Sequence, residues 1–230
     1  MKQTNNSSPR ARRVFTSLDR INAFSDGVFA VAITLLVVGI AVPAFKGAHT
    51  NANLWRSLSA VWAHFVVYVL SFLIIGAFWH RHHDLYSHLK RGNPRMVWLN
   101  TVLLMVIVFI PYATSLMGRY GDISLAVAIY SVTMALACIL MESLCLYATK
   151  GRRMVGEDFD YDFAYQFTIR YVSMALVFLA SAGIAFINAS AGIYFLLLLA
   201  VLSPLLSRLR PFQAGFIKWV SATSEETTTA

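Results

Sequence analysis

The chain has 230 residues, of which 58% are hydrophobic and only 13% charged, with a net charge of +8. Soluble domains carry about half apolar and a quarter charged residues, so this composition excludes an ordinary soluble domain and points to a polytopic membrane protein. Cys138 and Cys145 give no disulfide framework: seven residues apart on one helix, they stand roughly 10 Å apart along its axis, beyond disulfide reach.

The N-terminus MKQTNNSSPRARRVF is polar and basic, and the first apolar run after it has the length of a full span rather than of a removable signal. A span needs about 20 mostly apolar residues. Six stretches qualify, near 21–42, 55–79, 96–117, 123–148, 168–188 and 191–207. The last is short and contains Pro204. Breaks are expected at Pro43 to Asn53, at HRHHDLYSHLKRGNP, at GRYGD, at TKGRRMVGEDFDYDF and at the Asn188 to Gly192 turn.

The first span, RINAFSDGVFAVAITLLVVGIAVP, takes Ser25 and Asp26 into its cytoplasmic end. Ionisable residues within spans are rare and usually face the bundle interior. A plainer reading is a solvated or paired carboxylate near a helix N-terminus. Arg20 is six residues from Asp26, which is not a neighbouring position on one helix, so a partner for Asp26 is expected from another helix. Beyond Asp26 the helix is apolar except for Thr34. Val31, Leu35 and Val38 form one stripe at i, i+4 and i+7, flanked by Thr34. Packing or lipid contact alone accounts for such a stripe. Gly27, Ala30 and Gly39 permit close helix approach.

The end of the second span holds His80, His82, His83, Asp84 and His88, good metal ligands by type. A membrane di-iron enzyme needs several separated histidine boxes, and six histidines in all are too few. Interfacial anchoring is the ordinary role of such residues. In the fourth span, Glu142 is expected to snorkel or to pair with a base such as Lys150. Glu157, Asp158, Asp160 and Asp162 read as a solvated loop before the fifth helix, without the glycine and closing glutamate of a calcium loop. No nucleophile motif, phosphate loop, nucleotide fingerprint or TVGYG-type filter occurs.

Basic residues set the topology. Sixteen of the 19 lysines and arginines fall on one side: in the N-terminal segment, the second-to-third and fourth-to-fifth connections, and the tail. Only Lys46, Arg56 and Arg119 fall on the other. The positive-inside rule then predicts six spans with both termini cytoplasmic. No internal repeat is evident. The expected organisation is a basic cytoplasmic segment over 1–19, one six-helix transmembrane domain over 20–207, and a cytoplasmic, partly disordered tail over 208–230.

One set of motifs is more specific than its physics. Arg20, three residues, then Phe24-Ser25-Asp26 and GVFAVAITLL resembles the signature of the transmembrane protein 175 family of potassium channels. Phe78, Trp79 and His83 closing the second span, Leu99-Asn100 opening the third, and PYATSLMGRYGD from Pro111 resemble the same family in the same order. The resemblance covers roughly residues 17–122.

It implies an all-α integral membrane protein of the prokaryotic single-repeat type, with the first helix of each of four subunits lining a potassium-preferring pore in the plasma membrane. Potassium would be the permeant ion, with no cofactor, metal or nucleic acid. The hydrophobic constriction falls at Val31, where the family commonly has isoleucine, with further rings at Leu35 and Val38. Thr34 takes the threonine position linked to potassium preference. Ser25 and Asp26 would hold the cytoplasmic end of the pore helix, with Arg20, Trp79, His83 and Asn100 as partners. A secondary transporter, proton-coupled through Asp26, Glu142 or His64, is the alternative reading, and a non-transporting membrane scaffold ranks third.

Overall fold

The structure, a computed structural model, describes residues 9–42, 49–152, 154–156 and 159–206. The remainder of the N-terminal segment, Lys46, Arg153, Glu157, Asp158 and the 208–230 tail lie outside the described residues. The elements are α1 (Pro9–Val38), α2 (Asn51–Ala60), α3 (Trp62–Ser87), α4 (Pro94–Tyr120), α5 (Ser124–Thr149), α6 (Tyr161–Ile187) and α7 (Ala189–Leu206). Among the described residues five helices are long and apolar enough to cross a membrane: α1 from Leu18, α3, α4, α6, and α5 with the 3-10 turn that follows it. The protein is an integral membrane protein. The sixth expected stretch coincides with α7, which is 18 residues long and carries Pro204 in its last turn.

The boundaries differ from expectation at three places. The second span does not start at 55. NANLWRSLSA forms the separate helix α2, capped by the Thr50 side chain, which accepts from the Asn53 backbone N–H at 3.3 Å. This segment is too rich in Asn, Arg and Ser to lie in hydrocarbon, and none of its residues is buried. At its other end the second span does not stop at Trp79. Histidines and charges do not break a helix, and α3 runs on to Ser87. His80 and Arg81 pair with Asp84 at 3.7 and 3.6 Å on the same helix. The breakers come later, in Gly92-Asn93-Pro94, where Asn93 caps α4 by accepting from the Met96 N–H at 2.9 Å and Pro94 occupies a first-turn position that needs no donor.

The third difference is α6, which begins at Tyr161 rather than 168. Asp160 caps it, accepting from the Asp162 N–H at 2.9 Å, and Asp162 sits in the first turn beside the positive end of the helix dipole. Seven residues before the expected start, 161–167, thus become helix.

Packing runs in a chain. α5 lies against α4 and α6, α7 against α6, and α1 against α3 and α4. The core contains Phe29, Ala32 and Leu36 of α1, Ile75 and Phe78 of α3, Leu103, Ile107 and Ile110 of α4, and Met134, Met141 and Leu144 of α5. Buried hydroxyls join the helices where lipid offers no water. Thr114 of α4 donates to Ser71 of α3 at 2.9 Å, and Ser71 meets the Tyr130 hydroxyl of α5 at 3.2 Å. Ser181 of α6 donates to the Gly192 carbonyl of α7 at 3.0 Å. On the cytoplasmic side, as read from charge, the connections clasp: Lys90 N–H donates to Met154 O at 2.8 Å beside a bridge between Leu89 and Val155.

Candidate functional site

α1 has two unlike faces. Helical periodicity puts Phe29, Ala32 and Leu36 on one side, and each is at most 1% exposed against α3 and α4. The other side carries Val31, Leu35 and Val38, at 53, 41 and 75% exposure. Phe24 and Val37 are exposed as well. The four aliphatic side chains and Phe24 thus leave large apolar surface exposed on the single chain. Thr34, on the same side, donates its hydroxyl to the Val31 carbonyl at 2.9 Å. With its proton turned back onto the helix, the oxygen keeps both lone pairs for whatever faces it.

The N-terminal part of the span in this helix is tied down by polar side chains. Ser25 is fully buried and donates to Ile21 O at 2.8 Å. Asn100 of α4 donates through Nδ2 to Ser25 Oγ at 2.9 Å, and its Oδ1 lies 2.8 Å from His82 Nε2 of α3. Because Oδ1 only accepts, His82 must donate from Nε2. The bonds therefore run one way, from His82 to Asn100 to Ser25 to the α1 backbone. Beside them, Trp79 Nε1 donates to Asp26 Oδ1 at 2.8 Å. Two helices thus grip adjacent residues of the third.

Of the partners expected from the sequence, the structure brings Trp79 to Asp26 and Asn100 to Ser25. Arg20 is exposed and stands outside these bonds. His83 also stands outside them: it is exposed, with its ring 6.1 Å from that of Trp79. The histidine of the network is His82, fully buried and placed between Phe29 at 5.4 Å and the stacked ring of Tyr86 at 4.4 Å. A signal for this existed. Ile75, Phe78, His82 and Leu85 follow the buried period of α3, whereas Trp79 and His83 share the adjoining face.

The remaining candidates separate. His88 caps α3, donates from Nδ1 to Asp84 O at 2.7 Å, and stacks on Phe163 at 4.6 Å. With His80 paired to Asp84 and His82 buried, the four cluster histidines point to different surroundings, and no group of three metal-ligating residues occurs among the described residues. Glu142 does not snorkel. It is 7% exposed at the α5–α6 interface, where Thr168 donates to its Oε1 at 2.6 Å. His64 packs against Gly118 of α4, and a Cβ on that glycine would lie 2.9 Å from His64 Cδ2.

Residues 20–111 match the family described as the endosomal/lysosomal potassium channel TMEM175. A potassium channel of Streptomyces collinus is 34% identical over 174 residues, spanning 74% of this chain and 83% of that protein. A potassium channel of Chamaesiphon minutus is 32% identical over 183 residues, 77% of this chain and 90% of that one. The crystal structure of a lysosomal potassium-selective channel TMEM175 homolog from Chamaesiphon minutus superposes with a TM-score of 0.71 at 28% identity. It covers 84% of this chain and 100% of the other.

Proposed function

This chain belongs to the TMEM175 family, and on that premise we propose that it is a subunit of a potassium-preferring channel constricted by the exposed face of α1. The observation that carries the reading is the two-sidedness of that helix. One face is sealed against α3 and α4, and the opposite face leaves Val31, Leu35 and Val38 exposed. Four copies around an axis would turn the three residues into three apolar rings. α7 would complete six spans, and both termini would lie in the cytoplasm, as the basic residues indicate.

Ion passage through such rings follows from the cost of wetting. A narrow apolar ring empties of water, and conduction begins once its radius admits a continuous water chain. Potassium holds its hydration shell less tightly than sodium, so a ring that strips part of the shell favours potassium. Discrimination is modest, because no array of carbonyls replaces the lost water. Valine at position 31 gives a ring one methylene per subunit wider than isoleucine would. The Thr34 oxygens supply partial compensation just beyond it. Ser25 and Asp26 do not touch the ion at the constriction: they hold the helix in register through Asn100, His82 and Trp79.

The test is the reversal potential of the purified protein in a planar bilayer with potassium on one side and sodium on the other. Unitary currents reversing toward the potassium equilibrium potential are expected. Reversal near zero would keep the pore and remove its preference. Flux in liposomes that requires a counter-ion, without unitary currents, would overturn the channel reading in favour of a transporter.

A further inference from the structure

The outer end of α1 stops against α4 at a contact that leaves no room for a side chain. A Cβ built on Gly39 would stand 2.0 Å from Ser115 Oγ, 3.3 Å from Ser115 Cβ and 3.4 Å from Leu36 O. Gly39 is the residue after Val38, where the helix ends and Ile40 N–H bonds back to Val37 O at 3.1 Å. We propose that the Gly39–Ser115 contact positions the outermost apolar ring, so that the seat of α1 on α4 sets the unitary conductance. The inference rests on the channel reading above.

What would yield to a larger residue at position 39 decides the matter. Ser115 holds its rotamer by donating to Pro111 O at 3.0 Å, and its Cβ would remain in the way after any rotation of the hydroxyl. α4 itself is braced on its other sides. Thr114, the preceding residue, is bonded into the hydroxyl cluster with Ser71 and Tyr130, and Gly118, one turn on, is closed against His64 of α3. Among the described residues α1 has no polar tie at this end: Leu36 seats its last turn in the core by packing alone, and the Val31, Leu35 and Val38 side is exposed. The displacement therefore falls on α1, at its last turn, beside Val38. The other end of the helix, fixed by Ser25 and Asp26, stays in place, so the movement is a tilt that alters the outer ring most.

The experiment compares unitary conductance of the full chain, wild type and variants, in the planar bilayer. Gly39→Ala is expected to change conductance by about twofold or more, since flow through an apolar constriction depends steeply on its radius. Ser115→Ala removes the nearest clashing atom and leaves only the Cβ at 3.3 Å, so combined with Gly39→Ala it should reverse most of the change. Ser115→Val presses on the same contact from the α4 side and should reproduce the change with the sequence of α1 intact. If Gly39→Ala fails to assemble, Ser115→Val decides. Wild-type conductance in Gly39→Ala, or a change that Ser115→Ala does not reverse, overturns the inference while leaving the channel intact. Absence of unitary currents from the wild type would remove the channel reading, and this inference with it, before any variant is compared.

Discussion

Asn100 is the residue on which the anchoring of α1 turns, because its amide bonds both Ser25 and His82 inside the bundle. Removing it leaves the His82 Nε2–H without an acceptor and Ser25 with only its bond to Ile21 O, so Asn100→Ala should destabilise the subunit by about 1–3 kcal/mol, more than Ser25→Ala does. Thermal melts of the detergent-solubilised protein measure the difference, and equal losses would deny Asn100 its bridging role. Trp79→Phe keeps the ring and removes only the donor to Asp26; a loss of about 1 kcal/mol is expected there. At the constriction, Val31→Asn should wet the ring, raising the resting leak and moving the potassium–sodium reversal toward zero, whereas Val31→Ile should lower conductance and sharpen preference. Bilayer recordings of the pair check both signs. Some of this was legible in the residues and some was not. FSD, Trp79 and Asn100 stand at recognisable spacings, but choosing His82 over His83 required knowing that α3 continues past Trp79. That fact was hidden by reading charge and histidine as a loop. Glu142 was expected to snorkel or to pair with a base; its partner is instead the Thr168 hydroxyl at the start of the expected fifth span, which charge-based reading does not pick out.

At the scale of elements, the strong signals were the apolar runs and the true breakers, and the weak ones were ends. α4 starts where Asn93-Pro94 says it should, and α5 falls within a residue of its expected bounds. α2 was merged with α3 because Leu54, Trp55 and Leu58 continue the apolar period while the polar face between them argues otherwise. A tight joint between elements is the α6–α7 hairpin. A Cβ on Gly192 would come 3.0 Å from Ala185 Cβ and 3.1 Å from Ser181 O, and the Ser181 hydroxyl donates to the Gly192 carbonyl at 3.0 Å. Gly192→Ala must part the two helices there, with an expected cost of about 1–3 kcal/mol. Gly183→Ala, with nothing within 4 Å of its added carbon, should be neutral or mildly stabilising. Parallel melting curves of the two variants separate a packing effect from a general intolerance of alanine.

For the whole molecule, the proposed topology of six spans with a basic cytoplasmic face would place both termini on one side of the membrane. Tags fused to either end should be digested from the cytoplasmic side of inverted vesicles and protected in intact cells; protection of one tag in both preparations would break the even count of spans. The order of packing within the chain carries a further consequence. α1 packs on α3 and α4, while α6 lies mainly on α5 and meets α3 at the Phe78–Tyr171 and His88–Phe163 ring pairs, and α7 lies mainly on α6. The polar grip on α1 comes wholly from α3 and α4, and the family match ends at residue 111, within α4. Tolerance of random substitution should therefore be graded along the chain. A library scored for growth on limiting potassium would show dense intolerance from Ser25 to the outer end of α4. Beyond it, α6 and α7 would accept almost any exchange that keeps their bulk and hydropathy, leaving the second half of the protein free to drift around a fixed first half.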